Sequence, residues 1–544
     1  MMSKDMLHAL LQAGDFGQLT SFFSLQYLVL FLPAVLLLYA LAPKNGKRLV
    51  LLGTSLLFFY LISRRYILFI LGAIVIIWLF GLLLEHMNVR RDAEVKAAEK
   101  SQRKAIKHRW QVRSRLVLGL AALVLIGTLL VMKYSYFFLT NVNDLFGTDF
   151  LELYFLVLPI GISFYTLQAV SYLFDVYRGL ISADRNPLRL ALFLSFFPQI
   201  VEGPICRYSQ TAHQLWDVKP IAWENLTLGL QRILYGLLKK LVVADRLNAF
   251  IESVFTDYST CQGGVIALAA LCYTIQLYMD FSGAMDAVTG TAQIFGITMP
   301  ENFQRPFFSK TISEFWSRWH ISLGTWFKDY IFYPVTMSKP MKNLTSAARK
   351  RIGNHFGPLV AGSVALFCVW FSNGLWHGAA WSYVFFGMYH FALILAGSLI
   401  APGAKWFHKT FRVTPENKVF QGFQVLRTCI LVVIGELFFR APTLTDGLAM
   451  FRRMITDFRF SSVNGPMLIS MGIDPKDFLI VGITLVIILV VSILNERGIQ
   501  VRQALQNQPL VIRWAVLYAL LFYIIIFGAY GVGYVPVDPM YANF

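Results

Sequence analysis

The sequence predicts an all-α, polytopic membrane protein. Of its 544 residues, 57% are apolar and only 14% are charged, well under the roughly 25% of average soluble domains. Apolar runs recur along the whole chain, many near the span of about 20 residues that a bilayer demands. The 48 Lys and Arg exceed the 30 Asp and Glu, for a net charge of +18. In such a chain that excess points to basic cytoplasmic loops before it points to nucleic acid. Disorder is excluded by the hydrophobicity. A disulfide scaffold is excluded because Cys206, Cys261, Cys272, Cys368 and Cys429 are few and scattered; they read as small core residues, with no zinc-type pair among them.

The elements follow in order. Residues 1–20 read as a surface segment, since no basic start leads directly into a short apolar core with a cleavage site. Candidate spans are 22–42, 66–85, 116–139, 151–170, 264–281, 356–376, 381–400, 419–438, 478–494 and 512–527. The run 49–62 is short, but its neighbours force a crossing. Residues 190–201 and 321–334 mix apolar and polar side chains and read as re-entrant or tilted pieces, which need protein or water to cover their backbone. Residues 225–243 are amphipathic, with Lys239 and Lys240 near the end. The expectation is about eleven spans plus re-entrant helices. It divides into N-terminal helices over 21–140, a core over 141–400 and C-terminal helices over 401–544.

Orientation follows from the basic stretches. Residues 86–115 hold ten Lys and Arg against three acids, which places this loop in the cytoplasm. It could serve acidic lipid headgroups or an acidic carrier protein, or be a solvated, orienting surface and nothing more. Lys44, Lys47 and Arg48 form a smaller inner cluster. Lys339, Lys342, Arg349, Lys350 and Arg351 form another, and 401–418 is placed on the same side. The N-terminus, 440–477 and the C-terminal tail then fall outside. No fixed-period internal repeat is present, which weighs against several transporter architectures.

Ionisable residues in apolar segments mark candidate sites. Pro159 and Gly161 interrupt one run, and Asp175 and Arg178 follow at helical spacing. Glu202 lies between Pro198 and Pro204, and could pair with Arg207 to hold a turn or act in a site. Asp280, Ser282 and Asp286 end another run, where helix capping is the plain alternative for Asp280 or Ser282. The densest cluster runs from Asn302 and Arg305 through Glu314, Trp316, Arg318, Trp319 and His320 to Trp326, Lys328 and Asp329. Asn373, Trp376 and His377 follow, flanked by Gly374 and Gly378. Among the nine His, His8, His86, His108 and His355 read as solvated. His213 and His408 lie in loops, and His390 reads as a satisfied core residue. His320 and His377 differ because each sits in a polar, Trp-rich or Gly-rich cluster, and histidine moves protons near neutral pH. No serine elbow, P-loop, dinucleotide fingerprint or His-Glu zinc pattern occurs. A membrane transferase, a transporter and an envelope scaffold all remain open from the residues alone.

The stretch from Glu301-Asn302-Phe303 through Glu314-Phe315-Trp316-Ser317-Arg318-Trp319-His320 to Trp326-Phe327-Lys328-Asp329-Tyr330, followed by Gly374-Leu375-Trp376-His377-Gly378, resembles the signature of the membrane-bound O-acyltransferase (MBOAT) family. It is similar in particular to the bacterial branch of alginate O-acetylases, peptidoglycan O-acetyltransferases and teichoic acid D-alanyl transfer proteins. Leu158-Pro159-Ile160-Gly161, Asp175-Val176-Tyr177-Arg178 and Tyr278-Met279-Asp280-Phe281-Ser282 resemble the same branch. The resemblance implies the MBOAT fold: tilted and re-entrant helices around a central tunnel, with 141–400 as the catalytic core. It implies His377 as the catalytic histidine, with His320 orienting the acyl group or relaying a proton. Trp376, Asp280, Ser282, Glu202, Arg318 and Asn373 are implied as tunnel residues. The implied activity takes an acyl group, foremost acetyl, from a cytoplasmic thioester and delivers it across the bacterial cell membrane for O-acylation of a surface polysaccharide. The donor is implied to be acetyl-CoA or a loaded acyl carrier protein, with no bound cofactor and no metal. An extracytoplasmic acetyltransferase partner of SGNH or related type, a glycan acceptor and membrane lipid are the expected partners, and nucleic acid is not. D-alanyl transfer from a carrier protein to teichoic acid is the first alternative, and a non-enzymatic export or scaffold protein the second.

Overall fold

The computed structural model of the protein describes residues 21–147, 158–411, 414 and 416–530. The surface segment expected over 1–20, the start of the run 151–170, and the tail beyond 530 lie outside the described residues. So do His8 and the side chain of His408.

Among the described residues the regular structure is helical, with one isolated bridge between Phe303 and Trp319. Eight helical stretches there are long and apolar enough to cross a membrane. The first, Lys47–Ala97, is broken into α1 (Lys47–Ser63) and α2 (Ile67–Ala97) by a tight turn at Arg64. The others are α3 (Arg103–Phe146), α4 (Gly263–Ile294), α5 (Lys339–His377), α6 (Trp381–Phe411), α7 (Lys418–Arg440), α8 (Pro475–Glu496) and α9 (Leu510–Phe527). Gln26–Leu41 is apolar but shorter.

Several stretches read as basic loops are helix instead. α2 and α3 run on through the basic residues of 86–115, leaving a turn only near 98–102. α5 begins at Lys339, with non-helical backbone at Gly353, and α6 continues to Phe411. Lys, Arg, Glu and Ala are good helix formers, so a helix that leaves the bilayer through them has no reason to stop. Hydropathy finds where the apolar part ends, not where the helix ends.

The chain forms two compact units. The first holds the described residues up to Ile233 and Ala284–Pro300. In it, α2 packs against α3 and the helix Ile162–Arg178. Gly81 of α2 allows this approach, since a Cβ there would lie 3.0 Å from the Tyr172 ring. Gly161, at φ +73°, starts Ile162–Arg178, and a Cβ on it would strike the Ile200 carbonyl at 2.0 Å. Only glycine satisfies both conditions there. Residues 190–201 are a short helix, Pro187–Ser195, followed by a buried turn. A ring cluster of Tyr27, Phe31, Phe58 and Phe197 fills the space beside it.

The second unit holds Leu234–Gly283 and the described residues from Glu301 onward. Its core joins Val243, Leu247, Phe250, Ile266, Tyr273, Val432 and Leu437. α5 and α6 lie close, because Gly374 and Gly387 face backbone: a Cβ at Gly387 would come within 2.3 Å of the Trp370 carbonyl and one at Gly374 within 2.5 Å of the Tyr383 carbonyl. The piece expected as re-entrant over 321–334 is a run of short helical segments, Ile321–Phe327, Lys328–Phe332 and Tyr333–Thr336.

Candidate active site

Two short segments and one long helix end build a cavity in the second unit. Thr311 caps Ile312–Arg318, its hydroxyl accepting the Glu314 N–H at 3.1 Å. That helix stops at Trp319 and His320. His320 adopts a left-handed conformation, φ 46° and ψ 50°, which is uncommon without glycine and occurs where the surroundings hold it. The helix Ile321–Phe327 starts at the next residue. His377 comes from the last residue of α5.

A cavity of about 50 Å³ is lined by His320, His377 and Asn373, by the indoles of Trp316, Trp319 and Trp370, and by Leu323, Gly324, Phe327 and Val369. Both histidines are buried, at 3% and 4% exposure. Trp376 is buried beside them, its ring 5.6 Å from that of His320 and 5.0 Å from that of His377, in edge-to-face contact with each. Phe281 packs edge-on against His320 at 4.8 Å, and Phe439 against His377 at 5.0 Å. These contacts fix both imidazole planes. The lining residues include no carboxylate and no permanent cation, so the cavity suits a neutral, largely apolar group. A neutral histidine there can accept or donate one proton as a hydroxyl reacts.

Behind the indoles, the Trp316 Nε1–H donates to His390 Nδ1 at 3.1 Å, and the His390 ring stacks on Trp370 at 5.4 Å. His390 is fully buried. It is the core histidine the sequence indicated, and it also anchors two walls of the cavity.

The remaining expected residues lie elsewhere. Arg318 turns to Glu314 at 2.8 Å and Glu496 at 3.1 Å, in a partly exposed ion-pair cluster with Arg305. Asp280 and Ser282 are buried in the middle of α4, so capping does not account for them. Asp280 joins Asp245 around the ammonium of Lys240, each at 2.8 Å. Asp286 pairs with Arg232 at 2.9 Å within the first unit. Glu202 belongs to that unit, buried in the turn after Pro187–Ser195. Arg178 lies over the Phe174 ring at 4.8 Å.

Sequence reasoning named Asn302 only as the start of the polar cluster and Lys240 only as part of an amphipathic stretch, and did not name Trp370. Asn302 had a signal, a buried-type amide ahead of Arg305-Pro306. Trp370 had none, because one aromatic in an apolar run looks like any lipid-facing residue. Among the described residues, no group of three or more His, Cys, Asp or Glu is placed to hold a metal ion.

Comparison with known proteins identifies the family. The family model described as MBOAT, membrane-bound O-acyltransferase family, matches residues 15–349, a range that contains His320 and ends before His377. A probable alginate O-acetylase of Pseudomonas aeruginosa is 31% identical over 434 residues, 79% of this chain and 74% of that protein. A peptidoglycan O-acetyltransferase of Helicobacter pylori is 30% identical over 83% of this chain and 82% of its own. A teichoic acid D-alanyltransferase of Bacillus subtilis is 29% identical over 52% of this chain and 68% of its own. With a matched model over more than half its length, and relatives at 30% identity or more over most of theirs, the chain belongs to the membrane-bound O-acyltransferase family and is a multi-pass membrane acyltransferase.

Proposed function

We propose that the protein takes a short acyl group, acetyl, from a cytoplasmic thioester and delivers it through the bacterial cell membrane for O-acylation of a cell-surface polysaccharide. We place the catalytic core at 141–400, with His377 as general base and His320 as its partner in orienting or proton relay. In the reaction, His377 takes the proton of the acceptor hydroxyl as its oxygen attacks the thioester carbonyl. The carbon–sulfur bond breaks, and the thiolate leaves with a proton. Acetyl-CoA is the donor. Trp376 and Asn373 shape the tunnel beside the two histidines, and Asp280, Ser282 and Arg318 lie in the same unit outside the cavity. The hydroxyl acylated in this step is that of an intermediate carrier, and an extracytoplasmic acetyltransferase partner of SGNH or related type breaks that ester in the final transfer to glycan.

The observation that carries this reading is the small neutral cavity in which two buried histidines meet three indoles. At about 15 Å³ per water-sized group, its volume suits the three heavy atoms of an acetyl better than a long acyl chain. Its lining offers no carboxylate to the ammonium of a D-alanyl group. The names of the alginate and peptidoglycan acetyltransferases favour acetyl and a polysaccharide acceptor in the same way. The second reading is D-alanyl transfer from a carrier protein to teichoic acid, supported by the shorter match to the D-alanyltransferase and by the basic face of 86–115, which would suit an acidic carrier.

The test is thioester turnover by purified protein given labelled acetyl-CoA, beside His377→Ala. Turnover in the parent and none in the variant supports an acetyl-CoA-dependent transferase centred on His377. Turnover only with a D-alanyl-loaded carrier selects the second reading. Full envelope acylation in cells carrying His377→Ala would leave an export or scaffold role instead.

A further inference from the structure

We propose that Asn302 is a positioning residue that fixes the tautomer of His320. It places the ring proton on Nδ1 and presents Nε2 to the cavity as a lone-pair nitrogen. This deepens the reading above and rests on it for the chemical use of His320, though not for the tautomer itself.

The argument starts from the backbone. The helix Ile321–Phe327 begins at a histidine that makes no side-chain cap, so its first N–H groups need acceptors from elsewhere. Asn302 supplies both. Its main-chain carbonyl accepts the Ile321 N–H at 3.0 Å, and its Oδ1 accepts the Ser322 N–H at 2.9 Å. A bridge between Phe303 and Trp319, and a bond from the Gln304 N–H to the Arg318 carbonyl at 2.9 Å, clamp the two strands of chain together. This clamp holds His320 in its left-handed conformation.

The same Oδ1 lies 3.5 Å from His320 Nδ1. The Ser322 N–H can only donate, so the amide atom facing it is the oxygen and not the nitrogen. An oxygen can only accept from the imidazole, and therefore Nδ1 carries the hydrogen. A ring so protonated has its lone pair on Nε2. The edge-on rings of Phe281 and Trp376 keep the imidazole from turning away. Histidine in water favours the opposite, Nε2–H tautomer, so the assignment is diagnostic. Its consequence for mechanism is specific. A neutral His320 cannot donate a hydrogen bond to the acyl carbonyl from Nε2. It accepts one, from the incoming hydroxyl or from a proton relayed to it.

The experiment is 15N magnetic resonance of histidine-labelled protein in lipid nanodiscs, with His320 assigned by the signals lost in His320→Gln. The expected result is a pyrrole-type Nδ1 and a pyridine-type Nε2. Asn302→Asp, which keeps both acceptor roles, retains that pattern. Asn302→Ala shifts the neutral ring towards the Nε2–H form. An Nε2–H ring in the parent overturns the proposal. So does an unchanged pattern in a folded Asn302→Ala, which would leave Asn302 a helix cap only. If Asn302→Ala does not fold, the parent and Asn302→Asp spectra still decide. Acyl transfer measured on His320→Gln separates the two levels. Retained activity there removes His320 from the chemistry and leaves the tautomer assignment standing.

Discussion

Replacing Lys240 by methionine should be among the most damaging single changes in the second unit. The Lys240 ammonium sits 2.8 Å from Asp245 and 2.8 Å from Asp280, and the three side chains are 2%, 9% and 5% exposed. Methionine has nearly the length of lysine and lacks the charge, so little packing is lost. What remains is two buried carboxylates without the ammonium between them. The two 2.8 Å arms keep the bonded oxygens within about 5.6 Å, and at an effective dielectric of about 20 the repulsion at that separation is about 3 kcal/mol. Removing one partner of a buried ion pair costs about 3–5 kcal/mol, and here one cation serves two anions, which puts the loss near the upper end. The control is Lys240→Met with Asp245→Asn and Asp280→Asn. Asn keeps the shape of Asp without its charge, so the triple variant removes the carboxylate repulsion and should recover a measurable part of the stability. The assay is thermal unfolding in detergent of protein whose other four cysteines are replaced by serine, read by a thiol-reactive dye that labels the buried Cys272 as α4 opens. A single variant that melts with the parent, or a triple variant no more stable than the single, would refute the reasoning.

Three further outcomes follow from the packing. Gly387→Val should lower both melting temperature and transferase activity, because the new Cβ meets the Trp370 carbonyl; Gly397→Ala on the same helix, with nothing within 4 Å, should be neutral or stabilising by up to about 1 kcal/mol. Trp316→Phe leaves the buried His390 Nδ1 without its indole donor and should cost about 1–3 kcal/mol, measured in the same assay. Arg318→Ala breaks the partly exposed pairs with Glu314 and Glu496 and should change stability by no more than about 1 kcal/mol; a loss as large as that of Lys240→Met would show that exposure is the wrong guide to these ion pairs.

Much of the site was legible in the chain. His320 and His377 stood out because each interrupts apolar sequence with polar and aromatic neighbours, and both line one cavity, the candidate site. The pattern misled where one signal has two causes. Arg318 stood out as a cation in the polar cluster beside His320, and the structure places it in an ion-pair cluster with Glu314 and Glu496. Asp280 and Ser282 looked like caps because polar residues after an apolar run usually mark a helix boundary, but α4 carries on past them.

Composition and the recurrence of apolar runs determined by themselves that this is a helical membrane protein. A bilayer permits few other ways to satisfy the backbone over such lengths, and the information is local. The tertiary structure alone decided which polar residues meet. His320 and His377 are 57 positions apart, Asn302 reaches His320 across a reversal of the chain, and Lys240 finds Asp280 on another helix. The energy of such pairings depends on distance and burial, which spacing along the chain does not encode. The tautomer of one imidazole is set by an amide oxygen 18 residues away, and only the folded chain brings the two together.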